Sequence, residues 1–170
     1  CNFGSQRTAM VGRNGVGKTV LARILAGELP PGSGGVTRAG RIHYLPQNPL
    51  ASHPDLSIAA LAGLSNMLLA LERIEQGSCE AMRVALLGAQ RAQSDFLILD
   101  EPSNHLDAAS RSALAQQLQQ WRSGLLLISH DRVLLEVMDS VAELTPSAIN
   151  IYGGNYSFYR EAQRQKSQNA

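Results

Sequence analysis

Eight residues, Gly12-Arg13-Asn14-Gly15-Val16-Gly17-Lys18-Thr19, constrain the fold more than any others in this chain. They fit the pattern G-x-x-x-x-G-K-[ST]. The apolar run Thr8-Ala9-Met10-Val11 feeds into them, and Lys18 to Leu29 reads as a helix with Val20, Leu21, Ile24 and Leu25 on one face. Glycines allow successive backbone N–H groups to turn inward. At a helix N-terminus, where the dipole also favours negative charge, such a turn is an anion nest. A glycine-rich turn before an ordinary helix would lack this chemistry; the strand before it and the helix after it favour the phosphate reading. Lys18 would then reach the β- and γ-phosphates of a nucleotide, and the Thr19 hydroxyl would take one Mg²⁺ position.

A second segment, Phe96-Leu97-Ile98-Leu99-Asp100-Glu101-Pro102, is an apolar run ending in two carboxylates. A strand buried on both faces can present charge only where it leaves the sheet, at the crevice where α/β proteins bind ligands. Asp100 would hold Mg²⁺, and Glu101 would orient and polarise an attacking water. On its own the pair could be a polar strand end before a Pro102 turn; the upstream glycine loop favours the metal and base roles. His130 closes the next apolar run, Leu125 to Ser129, and should emerge at the same sheet edge, as a γ-phosphate sensor would. Ser129-His130-Asp131 is not a nucleophilic triad, because three neighbours cannot converge on one point. Gln47, after Pro46, could reach the metal or the water. His43 and His53 are assigned to ordinary structure.

The remaining pattern alternates strand and helix, as a mostly parallel α/β sheet requires. Pro30 to Gly35 is a break, and Arg41–Leu45 is a strand. Helices are expected over about Ser57–Glu75, Glu80–Gln93 and Ala108–Trp121, with a short one through Val137. Val141–Leu144 and Ile149–Tyr152 read as edge strands, and the polar tail from Ser157 as helical. With 170 residues, 44% of them hydrophobic, one sizeable core is expected. A formal net charge of +1 gives no strong nucleic-acid footprint. Cys1 and Cys79 form neither a disulfide framework nor a metal cluster, which suits a reduced cytoplasmic setting. The longest apolar-rich run, Ile58 to Leu71, is too short to span a membrane. No leader is read, although the chain begins at Cys1 without a Met.

Taken together, these segments resemble the ATP-binding cassette (ABC) ATPases over nearly the whole chain. Gly12 to Thr19 is similar to Walker A, Gln47 to the Q-loop, Phe96 to Glu101 to Walker B with its catalytic Glu, and His130 to the H-switch. Ser103-Asn104-His105-Leu106-Asp107 looks like the D-loop. The run from Asp100 to Asp107, and Gly154-Asn155-Tyr156-Ser157-Phe158-Tyr159, are most similar to the ABC-F class, which carries two cassettes and no membrane domain. The resemblance implies a P-loop ABC cassette with a mostly parallel central sheet flanked by helices, a truncated helical subdomain and a small antiparallel β part. It places an ATP-binding domain at 1–154, with the helical subdomain at about 48–92, and the start of a linker helix at 155–170. It implies ATP and Mg²⁺ as cofactors and a second cassette, in the same chain or a dimer, as partner. Several ABC-F members act on the ribosome, so ribosome or RNA is a further implied partner.

One departure bears on function. The family completes its site in trans through an LSGGQ-like signature ahead of Walker B, and none is readable here. Glu80 to Leu87 looks like the helix following a signature, whereas Leu69 to Gly77 resembles an ABC-F segment well upstream of it. Matches so close together imply that residues between Cys79 and Glu80, the signature among them, are missing from this sequence. The rival is a degenerate cassette acting as an ATP-gated binding module. Phe3 is too near Gly12 to be the family's adenine-stacking aromatic. The subunit of a membrane transporter shares every catalytic motif, but Asn104–Asp107 and the Tyr156–Tyr159 tail argue against it. No Asn-Lys-x-Asp motif for guanine is present.

Overall fold

A computed structural model describes residues 1–47, 94–104 and 106–168. The helices expected over Ser57–Glu75 and Glu80–Gln93, the Cys79–Glu80 junction, His53 and His105 lie outside the described residues. In chain order the elements are β1 (Arg7–Val11), α1 (Lys18–Ala26), β2 (Ile42–Leu45), β3 (Phe96–Asp100), α2 (Ala108–Gln119), β4 (Gly124–Ile128), α3 (Arg132–Leu135), β5 (Ser140–Leu144), β6 (Ile149–Gly153) and α4 (Tyr156–Gln168).

The six described strands form one sheet in the order β2-β3-β4-β1-β5-β6. Every pairing is parallel except β5 with β6. The side-chain period of two sorts the central strands onto two cores. Ala9, Leu97, Leu99, Leu125 and Leu127 pack with Leu114 and Leu118 of α2, Leu134 and Leu135 of α3, and Tyr159 of α4. Met10, Ile98, Leu126 and Ile128 pack with Ala22, Leu21 and Leu25 of α1 on the other face. All five residues of β4 are buried, which explains its unbroken apolar run.

Three expectations need correction. Val141–Leu144 is not an edge strand: β5 lies between β1 and β6, and only β6 of that pair is an edge. The antiparallel part is thus an extension of the main sheet. Val20 does not face the core but is 53% exposed; the buried positions of α1 are Lys18 and Ala22. The helix ends at Ala26 rather than Leu29, because Gly27 turns left-handed at φ 91°. There the Glu28 N–H bonds back to the Arg23 carbonyl, and Arg38 donates to the carbonyls of Ile24 and Leu25. The other helices start on side-chain caps: Asp107 accepts from the Ser110 N–H at 2.8 Å, and Asp131 from the Val133 N–H at 2.9 Å.

Candidate functional site

Four adjacent parallel strands, β2, β3, β4 and β1, deliver Gln47, Asp100 with Glu101, His130 and the glycine loop to one edge of the sheet. Asn14, Gly15, Gly17, Lys18, Thr19, Asp100, Glu101 and His130 line a cleft of about 350 Å³. Glu101 and His130 also border a second, neighbouring cleft, and there Gln47 joins them. The two clefts thus share Glu101 and His130, while Gly12, Arg13 and Val16 belong to the same loop but line neither cleft.

The loop is built for backbone donation. Gly17 takes the position before α1 in a left-handed conformation, φ 103°, and no side chain caps the helix, so its first N–H groups face the cleft without an internal rival. Within the loop, the Val16 N–H bonds to the Arg13 carbonyl at 3.3 Å. Gly12 is required by close approach, since a Cβ there would stand 2.5 Å from the Leu144 carbonyl oxygen. Lys18 is buried, and its Nζ donates to the carbonyls of Gly12 at 2.9 Å and Arg13 at 3.2 Å. Two of its three donors therefore hold the loop in shape, and the third is available to a ligand.

Asp100 is 2% exposed and accepts a hydrogen bond from the Tyr44 hydroxyl at 3.3 Å on Oδ2. Burial first, then the adjacent Asp100 carboxylate, push the Tyr44 phenol above its usual range, so it remains a donor. Glu101 sits just past the strand end at φ 48°, a left-handed conformation that costs a non-glycine residue about 1–3 kcal/mol. Its N–H bonds to the Ile128 carbonyl at 2.8 Å, which ties this turn to the end of β4. Its Oε1 lies 3.3 Å from His130 Nε2. Burial pushes the Glu101 carboxyl above the usual carboxylate range, while His130 pulls it the other way. A carboxylate so placed is a better proton acceptor than one in open water.

The residues present fit a Mg²⁺-bound nucleoside triphosphate. A hydroxyl (Thr19), a buried carboxylate (Asp100) and an anion nest surround one cleft. Among the described residues no group of three or more His, Cys, Asp or Glu side chains is arranged so that it could hold a metal ion by itself. A cation here would therefore share phosphate oxygens, which is the habit of Mg²⁺.

Sequence reasoning passed over several supporting groups. Ser129 is buried; its Oγ accepts from the Asp131 N–H at 3.0 Å and lies 3.3 Å from Ser103 Oγ, which shapes the turn carrying His130. Arg111 approaches Asp131 at 3.5 Å. The Ser-x-Asp spacing around His130 is a turn signal that could have been read. Tyr44 and Arg111 left no local trace beyond a polar tip that needs a partner. His43 is structural, as expected, with its Nδ1 2.6 Å from Ser94 Oγ.

Comparison with known proteins shows the family to which the chain belongs. The family described as ABC transporter matches residues 3–104. The ribosome protection protein VmlR of Bacillus subtilis is 31% identical over 161 residues, covering 92% of this chain and 29% of its own length. ABC transporter F family member 3 of Arabidopsis thaliana is 29% identical, covering 94% of this chain and 26% of its own. The chain therefore spans between about a quarter and a third of the curated relatives it matches. A solved ATP-binding subunit of an ABC transporter superposes with a TM-score of 0.69 at 20% identity, covering 92% of this chain and 81% of that one. At that identity the likeness concerns the fold alone. No helix among the described residues is long and apolar enough to cross a membrane.

Proposed function

The chain belongs to the ABC transporter family, with ABC-F proteins among its relatives, and on that premise we propose that it is the ATP-binding, Mg²⁺-dependent ATP-hydrolysing cassette of a cytoplasmic ABC-F protein. The observation carrying this reading is the meeting of the glycine loop, Asp100, Glu101 and His130 in one cleft at the ends of β1, β3 and β4. In it, Gly12, Arg13, Asn14, Gly15, Val16, Gly17, Lys18 and Thr19 form the loop whose N–H groups, that of Val16 apart, wrap the phosphates. Lys18 neutralises their charge, while Thr19, Asp100 and Gln47 hold Mg²⁺, which supplies further charge neutralisation when bound. Glu101 accepts the proton of the attacking water, and His130 holds Glu101 and senses the γ-phosphate. The chain's own contribution is positioning and electrostatic stabilisation.

Action on the ribosome, through ATP-driven closure of this cassette on a second one, is the partner reading that the ribosome protection relative supports. The test uses the Glu101→Gln protein with ATP. ATP is expected to stay bound while turnover falls about 10²–10⁴-fold, as loss of a general base does. Unchanged turnover would remove Glu101 from that role. The same variant is expected to co-sediment with ribosomes when ATP is present; its absence from the ribosomal fraction would count against a translation role and favour a transporter subunit.

A further inference from the structure

Tyr44 belongs to none of the short motifs named above, yet its hydroxyl reaches the carboxylate at the heart of the cleft. It stands on β2, in register with Ile98 of the neighbouring strand. Residues two apart on a strand share a face, so the side chains of Tyr44, Ile98 and Asp100 all lie on the α1 side of the sheet. Tyr44 packs there against the cluster of Met10, Ala22 and Leu126, which fixes the ring. A ring so held presents its hydroxyl in one place, 3.3 Å from Asp100 Oδ2.

The Asp100 carboxyl needs such a partner. It is 2% exposed, and the terminal torsion of an aspartate is soft, so without a donor its two oxygens could exchange places at little cost. The hydroxyl engages one oxygen and leaves the other outside that bond, on a residue that lines the same cleft as Thr19. A hydrogen bond from a rigid neighbour is how supporting residues orient the groups that face a metal.

We propose that Tyr44 is a positioning residue: by holding Oδ2 of Asp100 it sets the carboxylate for the divalent cation that accompanies the nucleotide. The inference rests on the reading of the cleft as a Mg²⁺–nucleotide site. It assigns Tyr44 no contact with phosphate, so nucleotide binding without metal should be indifferent to it.

The experiment compares wild type, Tyr44→Phe and Asp100→Asn in the full-length protein, with Mn²⁺ as the spectroscopic stand-in for Mg²⁺. Electron paramagnetic resonance reads Mn²⁺ affinity in the presence of a non-hydrolysable ATP analogue. Analogue affinity in EDTA is measured alongside by fluorescence. Loss of one hydrogen bond of this class should weaken Mn²⁺ about three- to tenfold in Tyr44→Phe and leave the EDTA affinity within about twofold of wild type. Mn²⁺ affinity in Tyr44→Phe that is unchanged, or tighter, would overturn the proposal, the tighter case because the hydroxyl would then be a competitor of the metal. Equal losses with and without metal would also overturn it, since they would mean a general packing defect. If the wild type takes up no Mn²⁺ with the analogue, the Mg²⁺–nucleotide reading falls and the proposal with it. If wild type binds, Asp100→Asn does not and Tyr44→Phe matches wild type, the proposal alone falls.

Discussion

Oε1 of Glu101 stands 3.3 Å from Nε2 of His130, the first leaving β3 and the second leaving β4. The carboxyl side chain is 16% exposed and the imidazole 58%, so the pair straddles the boundary between protein and cleft.

That burial has a consequence for stability. The folded pKa of Glu101 is raised by desolvation, so the folded state holds this proton more tightly than the unfolded chain does. Its ionisation therefore opposes folding, not at all below the unfolded value and fully above the folded one. Glu101→Gln removes the ionisation. Its melting temperature is expected to exceed wild type at pH 7 and to converge on it below about pH 4. Scanning calorimetry at both pH values checks this, and a difference that does not shrink in acid would contradict it.

Gly12 and Gly15 should fail for different reasons when changed to Ala. At Gly12 the new methyl meets the Leu144 carbonyl at 2.5 Å, a backbone atom that cannot swing away, so β5 or the loop must shift at a cost of about 1–3 kcal/mol. At Gly15 the methyl meets nothing within 4 Å, and only the left-handed φ of 80° is penalised, by about 1–2 kcal/mol. Urea melts should rank Gly12→Ala as the more destabilised. Nucleotide affinity should follow the same order.

Arg7 ties three elements together. Its guanidinium pairs with Asp139 at 2.6 Å and donates to the carbonyls of Leu118 and Gln119 at the end of α2. Arg7→Met is expected to cost on the order of 1 kcal/mol, because the Leu118 carbonyl keeps the Trp121 N–H, Gln119 is exposed, and Asp139 is 41% exposed so its charge is screened. Arg7 also holds the Asp139 carboxyl below the usual range. That part of the stability is present above the unfolded pKa and is lost as pH falls through the depressed one. The gap between wild type and Arg7→Met should therefore narrow below about pH 4 without closing. Urea melts at pH 7 and pH 3 read it.

The order in which these features could be read from sequence follows how local they are. The glycine loop is legible because eight consecutive residues carry both its conformation and its charge, and Asp100 and Glu101 because a buried strand can expose charge only at its tip. Val20 misled because it stands one helical turn before Ile24, yet it lies on the exposed side of α1. The interior position of β5 is a matter of pairing with Thr8–Val11, more than a hundred residues away, and Ser-Val-Ala-Glu-Leu carries no mark of it. Tyr44 and Asp100, Arg7 and Asp139, and Glu143 and Tyr159 are all long-range pairs. Asp100 apart, each residue alone reads as an ordinary strand, loop or helix position.

Glu143 anchors the terminal helix. Its carboxylate accepts from the Tyr159 hydroxyl at 2.9 Å, the Tyr152 hydroxyl at 3.2 Å and Gln163 Nε2 at 2.9 Å, and Lys166 donates to Tyr152 at 2.9 Å. Glu143→Ala leaves two half-buried hydroxyls without their acceptor and is expected to cost about 1–3 kcal/mol. The loss should be concentrated in α4, where limited proteolysis should cut sooner. Unchanged cleavage within residues 156–168 would mean that the Ser157–Glu136 bond and the packing of Tyr156 and Tyr159 hold the helix without Glu143.

The place of β1 in the sheet has a consequence of its own. The strand that carries the glycine loop is bonded along both sides, to Leu125–Ile128 on one and Ser140–Glu143 on the other, and Ala9 and Met10 are fully buried. Their amide hydrogens can trade with solvent deuterium only when the whole sheet opens. Gly15, a few residues on, is exposed at the tip of the loop. Deuterium uptake should therefore change from silent to responsive within six residues, and a ligand that settles in the loop would write its footprint against a stem that stays dark.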